Sequence, residues 1–103
     1  MQQFDTRRRG FEAGFKRSEE MRFEQWMRAV KSNALWVAEQ SGKDEAARDA
    51  YVQNAIALAC TSGDSTVVAA RFQADAGPFV AALELDEAIA DFLFIARMCG
   101  VGG

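Results

Sequence analysis

Residues 18–42 read SEEMRFEQWMRAVKSNALWVAEQSG. Phe23, Trp26, Met27, Val30, Ala34 and Val37 recur there at the three- and four-residue intervals of a helix with one core-facing side. Ser18 stands where an N-cap belongs, with Glu19 and Glu20 in the first turn, where the helix dipole favours acids. Gly42 stands just past the other end as a C-cap. The stretch predicts one long helix over about residues 18–40 that gives its Trp26 side to the protein's own core. Trp36 lies on another face and is expected against a neighbouring helix.

Upstream, residues 4–15 read FDTRRRGFEAGF. At about 100° per residue, Phe4, Phe11 and Phe15 fall in a narrow arc centred roughly 90° away from the Trp26 stripe. One straight helix cannot bury both stripes against one body. The second is the longer, so the first is left for a partner. Gly10 and Gly14 each disfavour a helix by about 1 kcal/mol relative to Ala, and Arg7, Arg8 and Arg9 repel one another. The reading is a flexible arm over residues 1–17 and a folded body over residues 18–103.

The charge divides the same way. Residues 1–31 hold eight basic and five acidic side chains, a balance of +3, whereas residues 32–103 hold four basic and ten acidic, a balance of −6. A basic arm on an acidic body points to a locally acidic partner. Nucleic acid is the rival, but the acidic body would repel a polyanion, so no nucleic-acid partner is expected.

Downstream, Val52, Ala55, Ile56 and Ala59, flanked by Tyr51 and Leu58, predict a helix over about residues 44–61, stopped by Thr61, Ser62 and Gly63. Asp64 or Ser65 caps a third helix, about 65–76, that buries Val68 and Phe72 and ends at Gly77 and Pro78. Residues 79–85 are apolar and ambiguous between a connector and a turn. Asp86 and Glu87 are placed to start the last helix, about 86–99. Its Ile89, Phe92, Leu93, Phe94, Ile95 and Met98 leave it apolar nearly all round: a central helix, or one with a second exposed contact face. The fold class is all-α, a four-helix bundle with a flexible N-terminal arm.

The chemical inventory argues against an enzyme. The chain has no His, the commonest acid–base group and metal ligand. Cys60 and Cys99, without His, make no zinc site and read as small apolar side chains at helix ends. With two cysteines, no apolar run of about 18–20 residues and a polar start after Met1, a reduced cytoplasmic compartment without membrane insertion is expected. The acidic pairs Glu19/Glu20, Asp44/Glu45 and Asp86/Glu87 each fall at an expected helix start, where capping explains them better than catalysis. No metal site and no cofactor is expected.

Residues 4–42 resemble the opening of the zeta-subunit family of alpha-proteobacterial F-type ATP synthases. Phe4, Asp5, Arg7, Phe11, Glu12, Phe15, Glu19, Glu20, Arg22, Phe23, Leu35, Trp36 and Gly42 fall in register with the family pattern without a gap. The chain departs from it at Arg8 and Arg9 and at Gly10 and Gly14. The resemblance implies a small four-helix bundle, cytoplasmic and associated with the membrane-bound ATP synthase. It implies inhibition of ATP hydrolysis, the N-terminal segment entering the catalytic head where an alpha–beta pair meets the rotor gamma subunit. The partner-binding residues would be Phe4, Asp5, Arg7, Arg8, Phe11, Glu12 and Phe15, the Phe for apolar burial and the charges for register. Some members are thought to bind ATP or ADP weakly, and no residue set here marks such a site. The alternative is a diverged, non-inhibitory helical module that works through another face, such as Phe94 and Met98, or binds adenine nucleotide weakly.

Overall fold

Trp26, Ala29, Val30, Ala34, Val37 and Ala38 are buried along one side of α1 (Gln2–Gln40), as the stripe read from residues 18–42 requires. The structure is a computed structural model that describes the backbone of residues 2–101 and the side chains of residues 19–101. Three further helices complete it, α2 (Glu45–Ser62), α3 (Ser65–Ala76) and α4 (Ala82–Met98), and no strand occurs among the described residues. The all-α four-helix architecture is the expected one. The flexible arm expected over residues 1–17 lies outside the described side chains.

The connections follow from capping chemistry. Gly42, at φ +72°, closes α1: its N–H donates to the Glu39 carbonyl and the Lys43 N–H to the Ala38 carbonyl, the paired bonds of a Schellman end. Asp44 caps α2, its Oδ1 accepting from the Ala47 N–H at 2.8 Å. Gly63, at φ +61°, ends α2, and its N–H donates to the Ala59 carbonyl. Asp64 caps α3 by accepting from the Thr66 N–H and hydroxyl at 2.9 and 2.6 Å, bonds that hold its carboxyl below the usual range. The stabilisation Asp64 gives is therefore present above the ordinary carboxylate pKa and is lost as pH falls through the lowered one.

Three expectations are corrected. Ser18 is no N-cap and Glu19 and Glu20 are not in a first turn, because α1 already runs from Gln2. Gly10 and Gly14 weaken a helix without terminating it as proline would. Asp86 and Glu87 do not start α4, which begins at Ala82 with no side-chain cap; they are exposed in its second turn. The apolar residues 79–85 obscured that start. Phe23 is 59% exposed rather than core. Seventeen- and eighteen-residue partners, α4 and α2, span about 26 Å; they cover α1 from Trp26 onward and leave Phe23 one turn outside.

The core interleaves small and large side chains. Ala55 and Ala59 of α2, Val68, Ala69, Phe72 and Ala76 of α3, and Leu85, Ile89, Phe92 and Ala96 of α4 meet the buried side of α1. Phe92 is fully buried between Trp26, rings 5.4 Å apart and tilted by 38°, and Phe72, 5.2 Å away and edge-on at 75°. Among the described residues α1 and α3 each pack on both remaining helices, whereas α2 and α4 do not pack on each other. α1 and α3 are thus the central pair. Of the two roles read for the last helix, the structure gives the second: α4 is a flanking helix with an outward face.

A polar clamp joins α2 to α3. The Tyr51 hydroxyl donates to Asp75 Oδ2 at 2.7 Å, and Arg71 Nε donates to the same oxygen at 3.0 Å. The Lys43 ammonium sits 5.6 Å from the Tyr51 ring centroid. Burial, then the bond to Asp75 and that carboxylate's charge, push the Tyr51 phenol well above its ordinary range. Sequence reading missed the clamp because Tyr51 and Asp75 are twenty-four residues apart and no local motif links them.

Two measurements check this packing. Phe92→Ala removes the ring shared by three helices and is expected to cost about 3–5 kcal/mol, lowering the thermal midpoint by ten degrees or more on the scale of about 4–8 °C per kcal/mol. Tyr51→Phe is expected to cost about 1 kcal/mol in denaturant titrations at neutral pH. The Tyr51 contribution is complete below the ordinary tyrosine pKa of about 10 and is lost as pH rises beyond it. The wild-type chain should therefore lose stability above that pH by more than Tyr51→Phe does.

Candidate functional site

The Phe72–Phe92–Trp26 stack fixes the rotation of α4, and with it the side chains that α4 sends outward. With Leu85, Ile89, Phe92 and Ala96 turned in, Phe94 and Met98 are left 63% and 69% exposed. Between them and α1 lies a groove of about 400 Å³, walled by Gln25, Arg28, Ala29 and Ser32 on α1, by Phe94, Ile95 and Met98 on α4 and by Cys99 at its C-cap. Its lining is mostly apolar. An exposed apolar groove rimmed by polar side chains is the usual form of a protein contact surface.

Cys99 closes the groove on the core side. Burial raises its thiol pKa, against a smaller opposing pull from the nearby Arg22 charge. Cys60 stands at a helix end as expected, in the last turn of α2, where it is exposed, and both thiols are free.

The seven residues read as partner-binding, Phe4, Asp5, Arg7, Arg8, Phe11, Glu12 and Phe15, fall on the first turns of α1. Their side chains lie outside the described residues, so the structure neither joins nor separates them. What it does describe is the helix immediately after them. Residues 19–25 are exposed throughout, and burial starts abruptly at Trp26. None of residues 19–25 thus belongs to the bundle's core.

A second hollow, of about 310 Å³, is lined by Tyr51, Asn54, Ala55, Leu58 and Arg71 beside the α2–α3 clamp. It pairs an aromatic ring with a guanidinium, but the guanidinium is already turned onto Asp75, whose carboxylate opposes a phosphate chain. Among the described residues no group of His, Cys, Asp and Glu could hold a metal ion, and no helix is long and apolar enough to cross a membrane. The acidic pairs give no carboxylate dyad, since Asp44 is occupied as a cap and Glu19, Glu20, Asp86 and Glu87 point to solvent.

The exposed groove was partly legible beforehand, since Phe94 and Met98 stood out in a helix apolar on every side. The α1 wall was not, because Gln25, Arg28 and Ser32 are polar and Ala29 alone does not mark a contact face.

No curated protein and no solved structure matches the chain. The family model for ATPase inhibitor subunit zeta matches residues 1–96, through all four helices to Ala96 on the inner side of α4. The resemblance read from residues 4–42 thus extends over nearly the whole length, and the chain belongs to the ATPase inhibitor subunit zeta family.

Proposed function

We propose that this protein is a regulatory subunit that inhibits ATP hydrolysis by the F-type ATP synthase, using residues 1–17 as the inhibitory element and the bundle as its carrier. The observation that carries the reading, beside family membership, is the abrupt start of the core at Trp26. A helix whose residues 19–25 lie outside its own core is suited to carry the residues before them to another protein. In the proposed complex Phe4, Phe11 and Phe15 bury in the cleft between an alpha–beta pair and the gamma subunit. Asp5, Arg7, Arg8 and Glu12 set the register through charge. A helix wedged there blocks rotation in the hydrolysis direction by occupying the space the rotor must sweep. The protein supplies no catalytic group in this scheme, only apolar burial and charge.

Titration of the purified ATPase from the same organism tests this. The full chain is expected to inhibit hydrolysis in a saturable way, and a chain lacking residues 1–17 is expected not to. Equal inhibition by both would show that the arm has the wrong role, and no inhibition by the full chain would refute the function. Gly10→Ala with Gly14→Ala lowers the free energy of the helical arm by about 2 kcal/mol in total. If the arm binds as a helix, the double variant should inhibit at concentrations down to about thirtyfold lower.

A further inference from the structure

The groove between α1 and α4 is unpartnered in the bundle, and its position along α1 is informative. Phe4, Phe11, Phe15, Arg22, Gln25 and Ala29 are spaced by seven, four, seven, three and four residues. On a continuous helix such as α1 (Gln2–Gln40) these positions share an arc of about 80°. The first three are the aromatic positions of the arm, and Gln25 and Ala29 are walls of the groove. From Phe4 to Gln25 the rise is about 30 Å. One side of α1 therefore leads from the arm into the groove, where Phe94 and Met98 of α4 continue the apolar surface.

The charge at the groove is of one kind on this side. Arg28 lines it and Arg22 lies close enough to act on Cys99. Among the described residues neither arginine makes an ion pair, the two ion pairs being Arg48 with Glu39 and Arg71 with Asp75. An apolar floor with unpaired guanidinium groups fits an apolar surface that carries carboxylates. A second copy of this chain fits it poorly, since a two-fold contact through the groove would set each Arg28 rim against its own image.

We propose that the Phe94–Ile95–Met98 groove is a second docking surface for the same partner that takes the arm, and that it receives an apolar, carboxylate-bearing segment of that partner next to the arm's cleft. The proposal rests on the inhibitory reading of the arm. It makes the bundle an anchor as well as a carrier: the arm blocks rotation and the groove holds the inhibitor in place. Because one face of α1 serves both, the two contacts form together without reorienting the bundle.

Phe94→Ser with Met98→Ser tests the groove. Both side chains are mostly exposed, so the double variant should keep the wild-type helical signal and thermal midpoint. In the ATPase titration it should need about ten- to a hundredfold more protein for half-inhibition, with maximal inhibition unchanged. Arg28→Glu should weaken inhibition in the same direction, and the deficit should shrink as salt is raised. The chain lacking residues 1–17 should still bind the immobilised ATPase without inhibiting it, and should lose that binding with Phe94→Ser and Met98→Ser. Unchanged half-inhibition by the double variant, with the full chain inhibiting normally, would overturn the groove alone. No inhibition by the full chain would overturn the arm reading and the groove together. A dimer in solution that Phe94→Ser and Met98→Ser dissolve would assign the groove to self-association and overturn the proposal as well.

Discussion

The bundle depends on one buried ring. Phe92 touches Trp26 on α1 and Phe72 on α3, so a single side chain joins the two central helices to the flanking α4. Interlocked aromatic packing of this kind leaves little rotational freedom, because turning α4 by one residue would move Phe92 about 100° around the helix and bring a neighbour in its place. The rest of the surface follows from that constraint. Once Phe92 points in, Phe94 and Met98 must point out, and the groove along α1 comes into being as their counterpart.

The second constraint is one of length. The helices that cover α1 are about half as long as it is, and among its described side chains the core claims only those from Trp26 onward. Residues 19–25 are consequently exposed even though Met21 and Phe23 are apolar. In a protein that acted only through its own fold, such an overhang would cost apolar exposure with nothing in return. In a protein of the ATPase inhibitor subunit zeta family, it fits the proposed use of the residues before it by a partner.

Most of the fold was legible because its signals are local. Apolar residues at helical intervals gave Trp26, Val30, Ala34, Val37, Val68 and Phe72 as core, all of which are buried. Gly42, Asp44, Gly63 and Asp64 marked the turns by capping chemistry alone. The errors arose where a local signal competes with a distant one. Asp86 and Glu87 look like a helix start, yet α4 begins at Ala82 without any side-chain cap, and its outset is held by packing of Leu85 against the core. Phe23 continues the stripe perfectly well, but helix length rather than periodicity decides where burial stops. The Tyr51–Asp75–Arg71 clamp and the α1 wall of the groove depend on which helices become neighbours, and periodicity within one helix does not carry that. The arm was read from its own offset phenylalanine stripe, and its residues remain a proposal.

An inhibitor that acts as a wedge has a directional signature that simple binding lacks. ATP hydrolysis and proton-driven ATP synthesis drive the rotor in opposite senses, so a blocked hydrolysis stroke need not block synthesis. The most direct measurement compares both rates in the same energised membrane vesicles, depleted of the native subunit, before and after adding the full chain. The account predicts that hydrolysis falls in a saturable way while synthesis is retained. Equal loss of both rates, or no effect on hydrolysis at saturating protein, would contradict it.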